Sequence, residues 1–219
     1  MTRRDAILLG LGLPLWASEN AFWNETKPSD WTAEERRQLL TRSPWARPAE
    51  VKFNSGPGSL AWPDAGMYGM PGTIPSNPTD APRHYGAMVR WESALPVREA
   101  TGSKAKNDFG GDYVVSVLGD LPMIGNRVKD ESEDEYQARL DNLKQYTRLE
   151  KHGGPIYLVK IGYQPGPDAA NSGTRFYFDR NNPITLRDGQ VTFVTRLGPI
   201  DVKCKFPLKE MVFRGELEL

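Results

Sequence analysis

The sequence predicts an α+β fold, in which a mainly antiparallel sheet is accompanied by two helices. Three observations indicate this class. Short runs of alternating or continuous apolar residues dominate the C-terminal half, two capping boxes mark helix starts, and the last long strands flank a two-residue Gly-Pro loop. Strands that follow one another through tight loops pair antiparallel. With 219 residues, the chain is long enough for one large domain, which we place at residues 22–219 after a signal segment at 1–21.

Residues 1–21 have the order of a secretory signal. Arg3 and Arg4 precede an apolar run from Ala6 to Ala17, and small residues follow that run. The run spans 12 residues, whereas a helix needs roughly 20 to cross a bilayer. The arginine pair also matches a twin-arginine signal loosely, so both export routes stay open. We therefore expect an exported protein, periplasmic or extracellular, that keeps no transmembrane anchor after signal cleavage.

The first helix begins at a capping box, Thr32-Ala-Glu-Glu35. The threonine hydroxyl and the glutamate carboxylate of such a box satisfy backbone N–H groups at the helix start. The helix is expected to run to about Thr41, because Ser43-Pro44 ends it. Val51 to Phe53 then begins a strand.

A Pro/Gly-rich loop is predicted at residues 54–86. Six prolines and six glycines fall within these 33 residues, and no helical or strand period survives there. Four side chains of this loop are the candidate binding residues: Trp62, Tyr68, Met70 and His84. Long loops are usually functional or disordered. The loop therefore either wraps across the domain or holds these side chains toward a partner.

Regular structure resumes after the loop. Residues from Ala87 to Ser93 alternate as in a half-buried strand, and Leu95 to Ala100 suits a helical turn. Tyr113 to Leu118 is a nearly continuous apolar run. Such a run indicates a strand that is buried on both faces.

The longest predicted helix begins at a second capping box, Ser132-Glu-Asp-Glu135. Tyr136, Leu140 and Leu143 would form its apolar face, and Gly153-Gly154-Pro155 would end it. This boundary places His152 in the last turn of the helix. Two strands are expected after it, at Ile156 to Tyr163 and at Thr174 to Phe178.

The last third of the chain predicts a hairpin with a defined register. Val191 to Leu197 and Ile200 to Phe206 flank Gly198-Pro199, which is typical of a two-residue hairpin loop. One register satisfies both faces of the hairpin and leaves Lys203 and Lys205 in water. It pairs Leu197 with Ile200, Thr195 with Val202, Phe193 with Cys204, Val191 with Phe206 and Arg196 with Asp201. A closing strand is predicted from Met211 to Leu219, where residue types alternate.

Composition and motifs limit the chemistry. Lysine plus arginine equals aspartate plus glutamate at 28 each, so the chain supplies no strong field for nucleic acid. His84, His152 and Cys204 are the only histidines and cysteine. Cys204 lies on the apolar face of the hairpin, which favours core packing over a nucleophile. We find no catalytic, nucleotide or zinc signature, and we predict no cofactor and no metal site.

Three stretches carry a family resemblance. The first is Asp30-Trp-Thr-Ala-Glu-Glu with Ser43-Pro-Trp-Ala-Arg47, and the second is Val89-Arg-Trp-Glu-Ser-Ala94. The third runs from Phe193-Val-Thr-Arg-Leu-Gly-Pro-Ile200 through Met211-Val-Phe213 to Glu216-Leu-Glu-Leu219. Together they resemble a family of uncharacterised, predicted-exported bacterial proteins, over most of residues 27–219 outside the Pro/Gly-rich loop. The resemblance implies export and a single domain, but no activity and no site residue.

Two functions follow as hypotheses. The first is a non-catalytic exported binding or structural domain of the bacterial cell envelope, whose partner is an envelope protein or a glycan. The second is a carboxylate-based hydrolase acting on a glycan, because two correctly spaced carboxylates leave no sequence motif. A cleft with two facing carboxylates would favour the enzyme, and a flat aromatic patch would favour binding.

Overall fold

The computed structural model describes residues 21–53, 86–102, 109–119, 131–164, 172–197 and 200–219. Within these residues there are four α-helices: α1 (Phe22–Glu25), α2 (Ala33–Thr41), α3 (Leu95–Thr101) and α4 (Glu133–Tyr146). The same residues form eleven strands: β1 (Ala46–Pro48), β2 (Glu50–Phe53), β3 (Ala87–Trp91), β4 (Tyr113–Gly119), β5 (Arg148–Glu150), β6 (Ile156–Gln164), β7 (Gly173–Phe178), β8 (Gln190–Leu197), β9 (Ile200–Pro207), β10 (Val212–Phe213) and β11 (Glu216–Leu217). Short 3₁₀ helices lie at 28–30, 186–188 and 208–210.

Nine of the strands form one antiparallel sheet that is nearly closed. Their order is β1-β3-β4-β7-β6-β5-β8-β9-β2. The two end strands, β1 and β2, are separated in the chain by Ala49 alone. One bent segment therefore pairs with β3 at one edge of the sheet and with β9 at the other. The predicted combination of helices with a mainly antiparallel sheet is confirmed.

The order of the middle strands is a Greek key. β5, β6 and β7 pair consecutively, and β8 then returns to lie beside β5. The connection from β4 to β5 carries α4, which packs against β6 and β8. Because of this strand order, the outer faces of β5, β6, β8 and β9 lie side by side.

The β8–β9 hairpin has the predicted register. Phe193 lies opposite Cys204 and Arg196 lies opposite Asp201, and the other predicted pairs also match. Phe193 and Cys204 are buried, whereas Lys203 and Lys205 are exposed. The predicted turn, Gly198-Pro199, lies outside the described residues.

Both capping boxes are present. The Thr32 hydroxyl accepts a hydrogen bond from the Glu35 N–H at 3.2 Å, and the Glu35 carboxylate accepts from the Thr32 N–H at 2.8 Å. Ser132 and Glu135 repeat this exchange at the start of α4, at 3.3 and 2.9 Å. α2 ends at Thr41 as predicted.

The predicted end of the long helix is wrong. α4 ends at Tyr146, and the following residues form β5 between β6 and β8. Thr147 and Leu149 are fully buried, and the Thr147 hydroxyl is 2.7 Å from that of Thr195. Burial between two neighbouring strands overrides the helical pattern here. His152 is consequently an exposed turn residue between β5 and β6, not part of a helix.

The predicted closing strand from Met211 to Leu219 is also wrong. The segment folds back on itself as the β10–β11 pair, with Phe213 opposite Glu216. Arg214 and Gly215 both have positive φ, at 52° and 87°. This is the combination that a tight type I′ hairpin turn requires, so the alternating pattern belongs to two short strands.

Aromatic side chains fasten the N-terminal residues to the sheet. Trp23, Trp31, Trp45 and Trp91 are all buried in one hydrophobic cluster. The ring centroids of Trp23 and Trp45 are 5.8 Å apart, and Trp45 lies 6.5 Å from Phe213 in a similar edge-to-face contact. These four tryptophans are therefore structural, while Trp62 lies outside the described residues.

Candidate functional site

The sequence-predicted binding residues lie outside the part of the chain that the structure describes. This applies to Trp62, Tyr68, Met70 and His84, and to the signal segment up to residue 20. They therefore stay predictions. Within the described ranges, no three His, Cys, Asp or Glu side chains are grouped as they would be around a metal ion.

The largest cavity that we describe lies where the sheet fails to close. The chain bends at Ala49, whose N–H donates to the carbonyl of Ala87 at 2.8 Å. β2 then pairs with β9 only as far as Glu50 and Lys203, and no pairing joins β1 to β9 among the described strands. The resulting opening, of about 780 Å³, is called the seam cleft. It is lined by the end of α2, by β1, by the ends of β3 and β4, and by residues 203–205 of β9.

Close backbone approach shapes one wall of the seam cleft. Gly119, at the end of β4, has a φ of +124°, and a Cβ built there would lie 2.4 Å from the carbonyl oxygen of Gly86. Only glycine fits such a position. The ends of β3 and β4 therefore meet at this wall without side chains between them.

Cys204 lies at the inner side of the seam cleft. Its Sγ is 3.8 Å from the carbonyl oxygen of Pro48 and 4.0 Å from that of Arg47, so the side chain bridges the gap between β9 and β1. Burial raises the pKa of the Cys204 thiol to about 12, although the nearby Arg47 charge lowers it. A thiol that stays protonated at neutral pH is a poor nucleophile. The prediction that Cys204 is a packing residue is confirmed.

The seam cleft has an excess of positive charge. Four cations line it, Arg42, Arg47, Lys203 and Lys205, against two carboxylates, Glu50 and Glu210. Both carboxylates are already paired, because Glu210 accepts from Arg47 at 3.1 Å and Glu50 accepts from Lys52 at 2.7 Å.

Three cations of the cleft make no close ion pair with a described carboxylate. The hydrogen bond and charge of Lys52 lower the pKa of Glu50, and the more distant charges of Lys203 and Lys205 lower it further, which keeps that carboxylate ionised. Arg42, Lys203 and Lys205 make no ion pair with any described residue. All three are exposed, so an incoming anion can reach them.

A smaller groove adjoins the seam cleft on the outer face of the sheet. This β8–β9 groove, of about 250 Å³, shares Glu50 and Lys203 with the cleft. Its other charged side chains project from β2, β5, β8 and β9: Lys52, Arg148, Arg196 and Asp201. Arg196 donates to Asp201 at 2.6 Å and lies over the Tyr146 ring at 4.7 Å.

A third cavity, of about 640 Å³, is lined by Arg98, Arg180 and Arg187 and is called the arginine cavity. Arg180 lies 4.2 Å from the centre of the Tyr113 ring and donates to the carbonyl oxygen of Leu219 at 2.6 Å. Arg180 therefore contacts the fold itself.

Glu218 is the only acidic side chain among the described residues that line the arginine cavity. Its carboxylate accepts from the Leu95 N–H at 3.3 Å and so caps the start of α3 from a distant part of the chain. Burial raises the pKa of Glu218, in spite of this hydrogen bond and the nearby arginines. The geometry assigns Glu218 a capping role.

Exposed apolar side chains mark one strand of the outer face. Tyr157 and Val159 of β6 are 63% and 51% exposed, and a bulge in the pairing with β7 falls between Leu158 and Lys160. Tyr157 lies directly opposite Arg148 of β5, which is one of the residues that line the β8–β9 groove. The sequence pattern does not single out Tyr157, because alternation alone cannot show whether a strand's second face is covered.

No protein-family model, no curated protein and no solved structure matches this chain. Among the described helices, none combines the length and apolar character needed to cross a bilayer. The candidate site therefore rests on the geometry of this chain alone. Its key lysines are Lys203 and Lys205, which the sequence placed in water without assigning them a role.

Proposed function

We propose that this chain is an exported, non-catalytic binding domain of the bacterial cell envelope, and that it binds an anionic ligand in the seam cleft. The observation that carries the proposal is the set of exposed cations Arg42, Lys203 and Lys205. They stand beside two carboxylates that are already paired. A ligand carboxylate or phosphate would supply the missing charge, in a cleft where low-dielectric walls strengthen the attraction.

The chemistry of the cleft supports binding in preference to nucleophilic or general-acid catalysis. Its thiol is held protonated by burial, which raises the pKa of Cys204. Its carboxylate Glu50 has a lowered pKa, the opposite of what a general acid needs at neutral pH. The side chains of the seam cleft are thus better suited to holding a charged group than to transferring a proton.

Export and a single domain at residues 22–219 belong to the same proposal. The order of charged, apolar and small residues in 1–21 supports a cleavable signal. One hydrophobic cluster that draws on every described segment of the chain supports a single domain. The protein recovered from the native cell envelope should begin near Ser18 or Phe22. Intact residues 1–21 on a cytoplasmic protein would end this part of the proposal.

Calorimetric titration at low ionic strength tests the binding site. The ligand is tetragalacturonate, an oligosaccharide with one carboxylate per sugar, and neutral maltotetraose is its control. The double variant Lys203→Gln/Lys205→Gln should lose about tenfold in affinity, since each exposed ion pair contributes up to about 1 kcal/mol. The matched control, Lys27→Gln/Arg187→Gln, removes the same charge at exposed positions outside the seam cleft and should bind like wild type. Equal loss in both variants would contradict a site in the seam cleft.

A glycan hydrolase is the second candidate, and Glu218 is the observation that favours it. A carboxyl with a raised pKa is typical of a general acid in such enzymes. A second carboxylate roughly 5–9.5 Å away would be needed, and none lines the arginine cavity within the described residues. New reducing ends appearing from an added polysaccharide, and lost in Glu218→Gln, would establish the enzyme and overturn the binding proposal.

A further inference from the structure

One row of outward-facing side chains leads away from the seam cleft across the sheet. Lys203 of β9 lies opposite Val194 of β8, Val194 lies opposite Arg148 of β5, and Arg148 lies opposite Tyr157 of β6. Residues that are directly opposite on neighbouring strands point to the same face of the sheet. These four residues therefore form a continuous cross-strand row, which continues at its cleft end to Glu50 of β2, opposite Lys203.

The row is too long for a small anion. From Lys203 to Tyr157 it crosses three strand spacings, which is roughly 14 Å. Lys205 extends the positive charge in the perpendicular direction, because it lies two residues further along β9, or roughly 7 Å. A single carboxylate or phosphate could contact only one end of this surface.

Two of the four side chains in the row are cations, Lys203 and Arg148. Lys203 has no ion pair with a described residue, and Arg148 pairs with Glu150 of its own strand. Next to the row, Arg196 pairs with Asp201. Each carboxylate on this part of the sheet is thus matched by a cation, and Lys203 and Lys205 are the cations in excess.

The far end of the row carries an exposed aromatic ring. Tyr157 is the most exposed of the large apolar side chains that the structure describes, and Val159 lies beside it. Aromatic rings at such a surface supply apolar area against the face of a sugar ring while nearby polar groups contact its substituents. A ring at one end and cations at the other match a polymer that has both sugar faces and negative charges.

We infer that the ligand is an extended acidic polysaccharide, which places one anionic group in the seam cleft and runs along the cross-strand row to Tyr157. This inference rests on the proposed function, because it names the ligand class of the same cleft. The neutral charge balance of the chain, 28 basic against 28 acidic residues, favours such a ligand over nucleic acid, for which basic domains are typical.

The test is a length series of oligogalacturonates, from the monomer through the dimer and tetramer to the octamer, titrated into the full protein at one low salt concentration. Affinity, corrected for the number of equivalent registers, should rise at least tenfold between the dimer and the octamer. Lys205→Gln should weaken every oligomer, whereas Arg148→Gln should weaken the octamer about tenfold and leave the dimer unchanged. Arg148→Lys, which keeps the charge, should recover most of the octamer affinity, and Arg187→Gln should have no effect.

The outcomes separate the two proposals. Binding of the dimer as tightly as the octamer would overturn the row and leave the seam cleft intact, while no binding of any oligomer would overturn both. Tyr157→Ala should weaken the octamer severalfold without weakening octameric polyphosphate, which has no sugar face. Single-stranded DNA of equal charge should bind more weakly than the octamer, and equal binding would overturn the assignment to a polysaccharide.

Discussion

The seam cleft and the arginine cavity are both lined by several cations, yet the two regions use their charges differently. In the arginine cavity, Arg180 stacks on Tyr113 and donates to the carbonyl of Leu219, and Glu218 caps α3. In the seam cleft, the exposed Lys203 and Lys205 contact no described carboxylate. The first set of charges holds chain segments together, whereas the second set is directed to solvent.

This difference shows that a count of charges does not identify a binding site. What matters is whether each charge already has a partner, because a paired charge attracts a ligand less strongly than an unpaired one. The arginine cavity therefore predicts losses of stability on mutation, and the seam cleft predicts losses of binding with stability nearly unchanged. The following predictions test that contrast.

The largest expected effect is at Trp45, which fixes the C-terminal segment beside the arginine cavity. Its ring is fully buried, and its indole N–H donates to the carbonyl of Glu218 at 2.8 Å. Trp45→Ala should lower the free energy of unfolding by about 3–5 kcal/mol, as large-to-small core substitutions do. Trp45→Phe keeps an aromatic ring and loses the hydrogen bond, so it should cost less. Denaturant unfolding measures both, and a change below about 1 kcal/mol in Trp45→Ala would contradict the structural role.

Cys204 tests the inner side of the seam cleft. Because burial both shields the thiol and raises the pKa of Cys204 to about 12, a maleimide should label it only in denaturant. Cys204→Ala should cost about 1 kcal/mol of stability, at the mild end of core truncations. Rapid labelling of the native protein would show that the Cys204 side chain is open to solvent, and the packing interpretation would then fail.

The register of the β8–β9 hairpin could be predicted because two independent patterns agree on it. Apolar pairs such as Phe193 with Cys204 specify the inner face, and Arg196 with Asp201 specifies the outer one. The capping boxes were equally local, since each is four residues long. Where the deciding interactions lie within a few residues of one another, the sequence was sufficient to predict the local structure.

The end of α4 and the seam cleft depend on distant residues. Thr147 and Leu149 become part of a strand only because β6 and β8 lie on either side of them. The seam cleft combines the end of α2 with β1, β3, β4 and β9, and its opening follows from a bend at Ala49 that no local pattern marks. Such a site cannot be predicted before the strand order is known.

Arg180 and the two cleft lysines provide a direct comparison of stability. Arg180→Gln removes a cation–π contact with Tyr113 and a charged hydrogen bond, so it should cost about 0.5–1 kcal/mol. Lys203→Gln/Lys205→Gln should change the free energy of unfolding by less than about 0.5 kcal/mol, as surface substitutions usually do. Thermal and denaturant unfolding at one pH check this ranking. The reverse ranking would assign the structural role to the seam cleft.

The smallest effects are expected at two glutamates, Glu218 in the arginine cavity and Glu50 in the seam cleft, and these should have opposite signs. Burial raises the pKa of Glu218 in the folded protein above its unfolded value. Ionising Glu218 therefore costs stability as the pH rises above the unfolded value of roughly 4.3, and the cost is complete once the pH exceeds the folded pKa. Glu218→Gln should accordingly gain stability relative to wild type between acidic and neutral pH, with the two proteins most alike below the unfolded pKa.

Glu50 is the matched control for the sign of this effect. The hydrogen bond from Lys52 lowers the pKa of Glu50, so its ionised form stabilises the folded protein above the unfolded pKa, and that contribution is lost as the pH falls through the folded value. Glu50→Gln should therefore lose stability relative to wild type as the pH rises, the opposite of Glu218→Gln. Because Glu50 is exposed, salt should abolish its effect, whereas the partly buried Glu218 should keep most of its own. Unfolding curves from acidic to neutral pH, at low and high salt, measure both slopes. Slopes of the same sign would show that the two cavities do not use their carboxylates differently.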